Sequence, residues 1–282
     1  MIIDCHTHIF PEEIGLNRER FLDGEPAFKM IYASSKSEMI GAEALIKQMD
    51  ESGVDISVVC GFPWVNPDTV KMNNDYCMEA VSKYPKRLIG LACFDAYSRK
   101  IADETERCIK GNLKGVGELA FYLSGIDDDA LDRLTPVMEI CKANDCPVMF
   151  HTNESVGHIY PGKTEITLPQ IYNIAKRFPE NNIILAHWGG GIFFYNLMKR
   201  EVRETLKNIY YDTAASLFLY TSEIYKYAVD LAGKDKILFG SDYPLIKPTR
   251  YFKEIEISGL SPEDARLIKG ENAAALFNLV AP

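Results

Sequence analysis

Ile2-Ile3-Asp4-Cys5-His6-Thr7-His8 is the stretch that decides the fold. Its β-branched start reads as a strand, Ile2–Cys5, that runs directly into two histidines. A doubly wound dinucleotide-binding sheet would place a G-x-G-x-x-G turn there, and none follows. Further runs of the same kind recur at Ile56–Cys60, Leu88–Ala92, Gly115–Glu118, Pro147–His151, Ile183–His187, Ile209–Asp212 and Ile237–Gly240. Their first residues stand 54, 32, 27, 32, 36, 26 and 28 apart, and most of these gaps suit one strand plus a crossover helix. Short apolar runs without polar alternation suit strands buried on both faces, as in a parallel sheet. Helical periodicity fills the gaps. Leu131, Leu134, Met138 and Cys141 share one face of Asp127–Asn144, and Leu168, Ile171, Tyr172, Ala175 and Phe178 share one of Thr167–Phe178. Ser261-Pro262-Glu263-Asp264 opens a last helical region with an N-cap, an N1 proline and early acids. Eight strands with seven crossovers predict an α/β fold of (β/α)8 barrel type.

The 282 residues lack a Gly/Ser/Pro-rich linker or a low-complexity tract, so residues 1–282 are expected to form a single domain. The one outsized gap follows the first strand, and residues 9–40 are expected to be an elaborated loop over the barrel mouth. Apolar residues at 47% and charged residues at 25% exclude a disordered or fibrous chain. The net charge of −9 repels a polymer of phosphates and counts against nucleic-acid binding. No apolar run approaches the roughly 18 residues that span a bilayer. The apolar start at Met1 meets Asp4 and His6 at once, which is unlike an export signal. Seven cysteines, odd in number and without a C-x-x-C pair, point to reduced thiols and a cytoplasmic location.

The candidate chemistry lies at strand ends. Of five histidines, four fall there: His6 and His8 after strand 1, His151 at the end of strand 5 and His187 at the end of strand 6. His6 and His8 are two apart on an extended segment, so both face into the barrel. Asp242 follows strand 8. These five groups share the carboxyl-end rim, where barrel enzymes place their chemistry. A single histidine at a strand end is more often packed than ligating, but that reading does not explain one shared rim. Imidazoles with a carboxylate suit Zn²⁺, with Fe²⁺, Mn²⁺ or Co²⁺ as substitutes.

Asp4-Cys5-His6-Thr7-His8, Phe150-His151-Thr152-Asn153, Ala186-His187-Trp188-Gly189-Gly190 and Phe239-Gly240-Ser241-Asp242-Tyr243-Pro244 together resemble the four signature segments of the amidohydrolase superfamily. Their order and spacing are most similar to its amidohydrolase-related (type 2) branch, and Glu271–Phe277 resembles that branch's closing helix. The resemblance covers nearly the whole chain. It implies a distorted barrel in which His6, His8, His151 and Asp242 hold a divalent metal. His187 is then a ligand of a second ion or a polarising acid/base. Strand 4 ends in Glu118, whereas some family members carry a carbamylated lysine there, and Lys114 sits at the wrong end of the strand for that role. Gly115-Val116-Gly117-Glu118 is similar to the G-x-G-E segment of TatD-like relatives, in which the glutamate bridges two metals. Glu118 is therefore expected among the ligands; the other reading is a carboxylate that orients a ligating histidine.

A bound divalent ion lowers the pKa of a water ligand from about 15.7 to roughly 7, and Asp242 beside it can take up the proton. The leading expectation is a metal-dependent hydrolase of a small ester, lactone or amide, with Asp242 and His187 catalytic and one or two ions bound. The alternative is a metal-dependent non-oxidative decarboxylase of an aromatic or dienoic acid, since the same branch contains such lyases. A TatD-like nuclease and a non-enzymatic metal scaffold rank below these. Trp64, Tyr122, His158, Lys163, Trp188 and Arg250 are candidate substrate contacts, with Lys247 and Phe193 beside them. For each, packing under a loop or plain surface charge is the competing reading. Asp4 is expected to support the site from below rather than to ligate. A homo-oligomer is compatible with all of this.

Overall fold

Each β-branched run is a strand in the computed structural model, which describes residues 1–123 and 125–279. They are β1 (Ile3–His8), β2 (Ile56–Cys60), β3 (Leu88–Gly90), β4 (Val116–Leu119), β5 (Val148–Phe150), β6 (Ile183–Leu185), β7 (Ile209–Asp212) and β8 (Ile237–Leu238). All pair in parallel, β1 to β3 as one sheet and β4 to β8 as another. The two sheets meet at two seams. Gly117 donates its N–H to Ala92 O at 2.8 Å, and at the other seam Cys5 donates to Phe239 O at 2.7 Å and His8 to Tyr243 O at 2.9 Å. Single parallel bridges, Ala92 with Val116 and Thr7 with Tyr243, carry both closures. The result is a distorted (β/α)8 barrel, as the strand count predicts.

The helices are α1 (Glu12–Leu16), α2 (Pro26–Tyr32), α3 (Ala42–Ser52), α4 (Pro67–Lys83), α5 (Ile101–Lys110), α6 (Asp128–Ala143), α7 (Leu168–Arg177), α8 (Arg200–Leu206), α9 (Ser216–Leu219), α10 (Ile224–Ala232), α11 (Pro248–Ile257), α12 (Pro262–Arg266) and α13 (Asn272–Leu276). Their ends follow the sequence signals. Asp127 accepts from Ala130 N–H at the start of α6, Thr167 and Gln170 form a capping box on α7, and Ser261 caps α12. Residues 9–40 carry α1, a single 3₁₀ turn (Arg18–Phe21) and α2. The Arg18 guanidinium gathers this excursion by donating to the carbonyls of Tyr32, Ser34 and Ser37.

Side chains from non-neighbouring strands meet only inside a barrel. Ile3, Cys5, Val58, Leu91, Met149, Ile184 and Leu238 form that inner cluster, with Ala273, Leu276 and Phe277 packed against it near the strand starts. Ile3 and Cys5 belong to this face although they alternate with His6, because the β1–β2 register shifts between Asp4 and Thr7. Strict alternation along β1 therefore breaks at this irregularity. Asp4 is not among the clustered donor atoms. Its buried carboxylate accepts from the Ser241 N–H at 2.9 Å and hydroxyl at 2.5 Å, which ties β1 to the segment after β8. Burial pushes its pKa up to about 7 against these hydrogen bonds. All seven cysteines are free and buried. No helix among the described residues is long and apolar enough to cross a membrane.

Candidate metal centre

Four histidines and two carboxylates predicted for the rim converge on one point. His6 and His8 come from β1, Glu118 from β4, His151 directly after β5, His187 two residues after β6, and Asp242 after β8. His6 Nε2 lies 3.2 Å from His8 Nε2, 3.6 Å from Glu118 Oε2 and 3.8 Å from Asp242 Oδ1. His8 Nε2 is 3.3 Å from Asp242 Oδ1, and His187 Nε2 is 3.4 Å from Glu118 Oε1. Ligands each about 2.1 Å from a tetrahedral ion stand about 3.4 Å apart, so these separations match a shared cation. Three triads have their donor atoms within 4.8 Å of one another: His6 with His8 and Glu118, His6 with His187 and Asp242, and Glu118 with His151 and His187.

The far sides of the rings test this reading. His6 Nδ1 faces Asp212 Oδ2 at 2.8 Å, His8 Nδ1 faces Gly61 O at 3.0 Å and His187 Nδ1 faces Ala214 O at 3.1 Å. With the ring proton used on these acceptors, each Nε2 presents a lone pair to the cluster. His151 is turned the other way. Its Nε2 faces Gly162 O at 2.9 Å and its Nδ1 faces Glu118 Oε1 at 3.0 Å. Lone pairs and carboxylate oxygens this close repel unless protons or a metal cation lie between them, and buried histidines with this arrangement are the usual ligand geometry. The residues present therefore fit a divalent ion. Burial opposes charge on Glu118, Asp242 and His6, yet the mutual attraction prevails: Glu118 and Asp242 are held below the usual carboxylate range and His6 is raised well above the imidazole range.

Asp212 is the functional residue that the sequence reading missed, although it ends β7 on the same rim. Besides orienting His6, it accepts from the backbone N–H of His187 at 2.9 Å and of Ala214 at 3.0 Å. A carboxylate at the end of a predicted strand was the available signal. Gly240 completes this support, since a Cβ there would stand 2.9 Å from His6 Cβ and 3.2 Å from Asp212 Cβ. Replacing Asp212 with asparagine is expected to weaken divalent-metal affinity about 10- to 100-fold, the usual effect of removing a carboxylate behind a ligating histidine. A competition titration against a chelating indicator reads this directly.

Several residues that carry or flank the site are left-handed without being glycine: His187 (φ 56°), Trp188 (φ 62°), Ala215 (φ 56°) and Asp242 (φ 58°). Such strain persists only where surrounding contacts over-determine it, and it concentrates at functional sites.

The cluster floors a cavity of about 1070 Å³. Tyr32, Phe62 and Tyr122 give it an aromatic wall, and Phe62 and Tyr122 lie nearly parallel with centroids 6.0 Å apart. His158 and Lys247 also line it, as do Glu154, Tyr160 and, from the excursion after β1, Ile31, Lys36 and Glu38. Five of the expected contacts are placed elsewhere. Trp64 is fully buried against Phe28 and Phe62, with its indole N–H given to Asn73, because β2 turns it into the layer beneath the excursion. Trp188 is fully buried against Tyr225 and donates to Ser216 Oγ; Phe193 is buried beside it. The Lys163 ammonium is spent inside its own loop, on Glu154 Oε1 at 2.7 Å and Val156 O at 2.6 Å. Arg250 is exposed on α11 and does not line the cavity.

Comparison with known proteins agrees with this fold. A family model described as amidohydrolase matches residues 3–279. A 2-amino-3-carboxymuconate-6-semialdehyde decarboxylase of Dictyostelium discoideum is 24% identical over 300 residues, covering 86% of this chain and 81% of that protein. Among solved structures, 5-carboxyvanillate decarboxylase from Sphingomonas paucimobilis superposes with a TM-score of 0.76 at 19% identity, covering 99% of both chains. A dihydroxybenzoic acid decarboxylase from Polaromonas sp. JS666, with bound manganese and the inhibitor 2-nitroresorcinol, superposes with a TM-score of 0.74 at 19% identity, covering 100% of this chain and 98% of that one. The match over residues 3–279 and the rim of histidines and carboxylates make this chain a member of the amidohydrolase family, in its amidohydrolase-related (type 2) branch.

Proposed function

We propose that the protein is a metal-dependent non-oxidative decarboxylase of a small aromatic or dienoic acid. The observation that carries this reading is the composition of the cavity, a cation-binding floor under an aromatic wall. Among the described lining residues the only lysines or arginines are Lys36 and Lys247, both exposed at the mouth. A substrate carboxylate reaching the floor therefore finds its counter-charge in the metal cluster. The likeness to proteins named as decarboxylases supports the acid over the ester or lactone expected from the strand-end motifs alone. The manganese of one such neighbour supports Mn²⁺ beside Zn²⁺ as the ion.

The bound ion would supply a positive centre that holds the acid's oxygens and takes up negative charge. His6, His8, His151 and Asp242 would hold it, with Glu118 joining them. Decarboxylation replaces a C–C bond by a C–H bond, so the carbon that loses CO₂ keeps the electron pair and must receive one proton. Asp242, on the cavity floor, would carry that proton, and His187, doubly protonated with its Nδ1–H kept on Ala214 O, would donate from Nε2 to a developing negative oxygen. Tyr122 and Phe62 offer flat surfaces to a ring. Residues 9–40 serve as the cover of this mouth, and the described residues act as one domain.

Glu118 supports a second reading. A carboxylate that bridges two ions suits hydrolysis of an ester, lactone or amide. The test is to incubate metal-loaded protein with carboxylated phenols and dienoic acids, and separately with lactones and esters. CO₂ release from the acids alone is expected; ester or lactone cleavage without any CO₂ would reverse the assignment.

A further inference from the structure

We infer that Tyr251 is a positioning residue whose buried hydroxyl locks together the two backbone turns that aim Asp242 and His187. Tyr251 sits on α11, outside the barrel, and is fully buried against Phe239 with ring centroids 5.7 Å apart. Its hydroxyl donates to Ser241 O at 2.8 Å and accepts from the Ala215 N–H at 2.9 Å. Ser241 immediately precedes Asp242, which is left-handed at φ 58°. Ala215 is left-handed at φ 56° and follows Ala214, whose carbonyl faces His187 Nδ1 at 3.1 Å. One oxygen thus joins the segment after β7 to the segment after β8, at two positions where an L-residue does not stay unaided.

Removing that oxygen leaves a buried carbonyl and a buried N–H without partners, and both relax by leaving the left-handed conformation. The movement reaches the metal cluster by two routes. Asp242 loses its fixed direction toward His8, and Ala214 O slips from His187, freeing that ring to rotate. The ring of Tyr251 touches neither cavity nor cluster, so any effect of the hydroxyl must pass through these turns.

The test compares Tyr251→Phe with Tyr225→Phe. Tyr225 is also fully buried, packs on Trp188 with centroids 5.0 Å apart, and its hydroxyl has no hydrogen-bond partner among the described residues. Mn²⁺ affinity by competition with a chelating indicator is expected to fall about 10- to 100-fold in Tyr251→Phe and to stay within twofold in Tyr225→Phe. With any substrate that the wild type turns over, Tyr251→Phe should lower kcat at saturating Mn²⁺ by at least tenfold while KM changes less than twofold. Equal Mn²⁺ affinity and equal kcat in the two variants would overturn the inference. The metal-binding arm does not depend on the reaction, so a wild type inactive on aromatic acids would refute the proposed decarboxylation and leave this inference to be decided by affinity.

Discussion

Asp242→Asn is expected to lower turnover about a thousandfold or more without unfolding the protein. The substitution keeps size and shape, and asparagine tolerates the left-handed backbone at this position as readily as aspartate. What it removes is a group that can bind and release a proton on the cavity floor. Positioned proton transfer contributes about 10²- to 10⁴-fold, and the larger end applies where no second carboxylate can substitute. Glu118 cannot do so here, because both of its oxygens lie against imidazoles of His6, His151 and His187. Asp242 also faces His8 and His6, so the variant must be assayed at saturating metal with its metal content measured. Near-normal turnover with the metal retained would remove Asp242 from the mechanism.

Exhaustive chelation is expected to abolish turnover completely, with full recovery on addition of Mn²⁺ or Zn²⁺. The inner cluster of the barrel contains none of the metal-centre residues, so the apoprotein should stay folded. Its stability should still fall, because apo lone pairs and carboxylates crowd one another and because a ligand that binds only the folded state stabilises it. At a thousand times the dissociation constant that contribution is about 4 kcal/mol, seen as a higher thermal midpoint with metal. Chelator-treated protein that keeps its activity and its midpoint would show that the cluster holds no functional ion. Elemental analysis of the reloaded protein decides the part played by Glu118. Two ions per chain support a bridging carboxylate and the hydrolytic reading, whereas one ion leaves His187 free as a proton donor.

The alternation of short, largely apolar runs with helical segments predicted eight strands, and all eight pair in parallel, because such runs set one crossover helix apart suit a sheet buried on both faces. His6, His8, His151, His187, Asp242 and Glu118 were readable for a related reason: parallel strands deliver their carboxyl ends to one rim wherever those residues stand in the chain. The directions of individual aromatic and cationic side chains were not readable. Trp64 and Trp188 carry the same loop context as Tyr122, but helices packed against the barrel absorb the first two and leave Tyr122 facing the cavity. Lys163 was a free cation in sequence and is neutralised in space by Glu154, nine residues earlier in its own loop. Asp212 and Tyr251 drew no notice because their partners, His6 and Ala215, lie 206 and 36 residues away. Local pattern determines which residues reach the rim, since strand direction is a local property. Only closure of the barrel decides which side chains meet there, since that depends on contacts between segments remote in the chain.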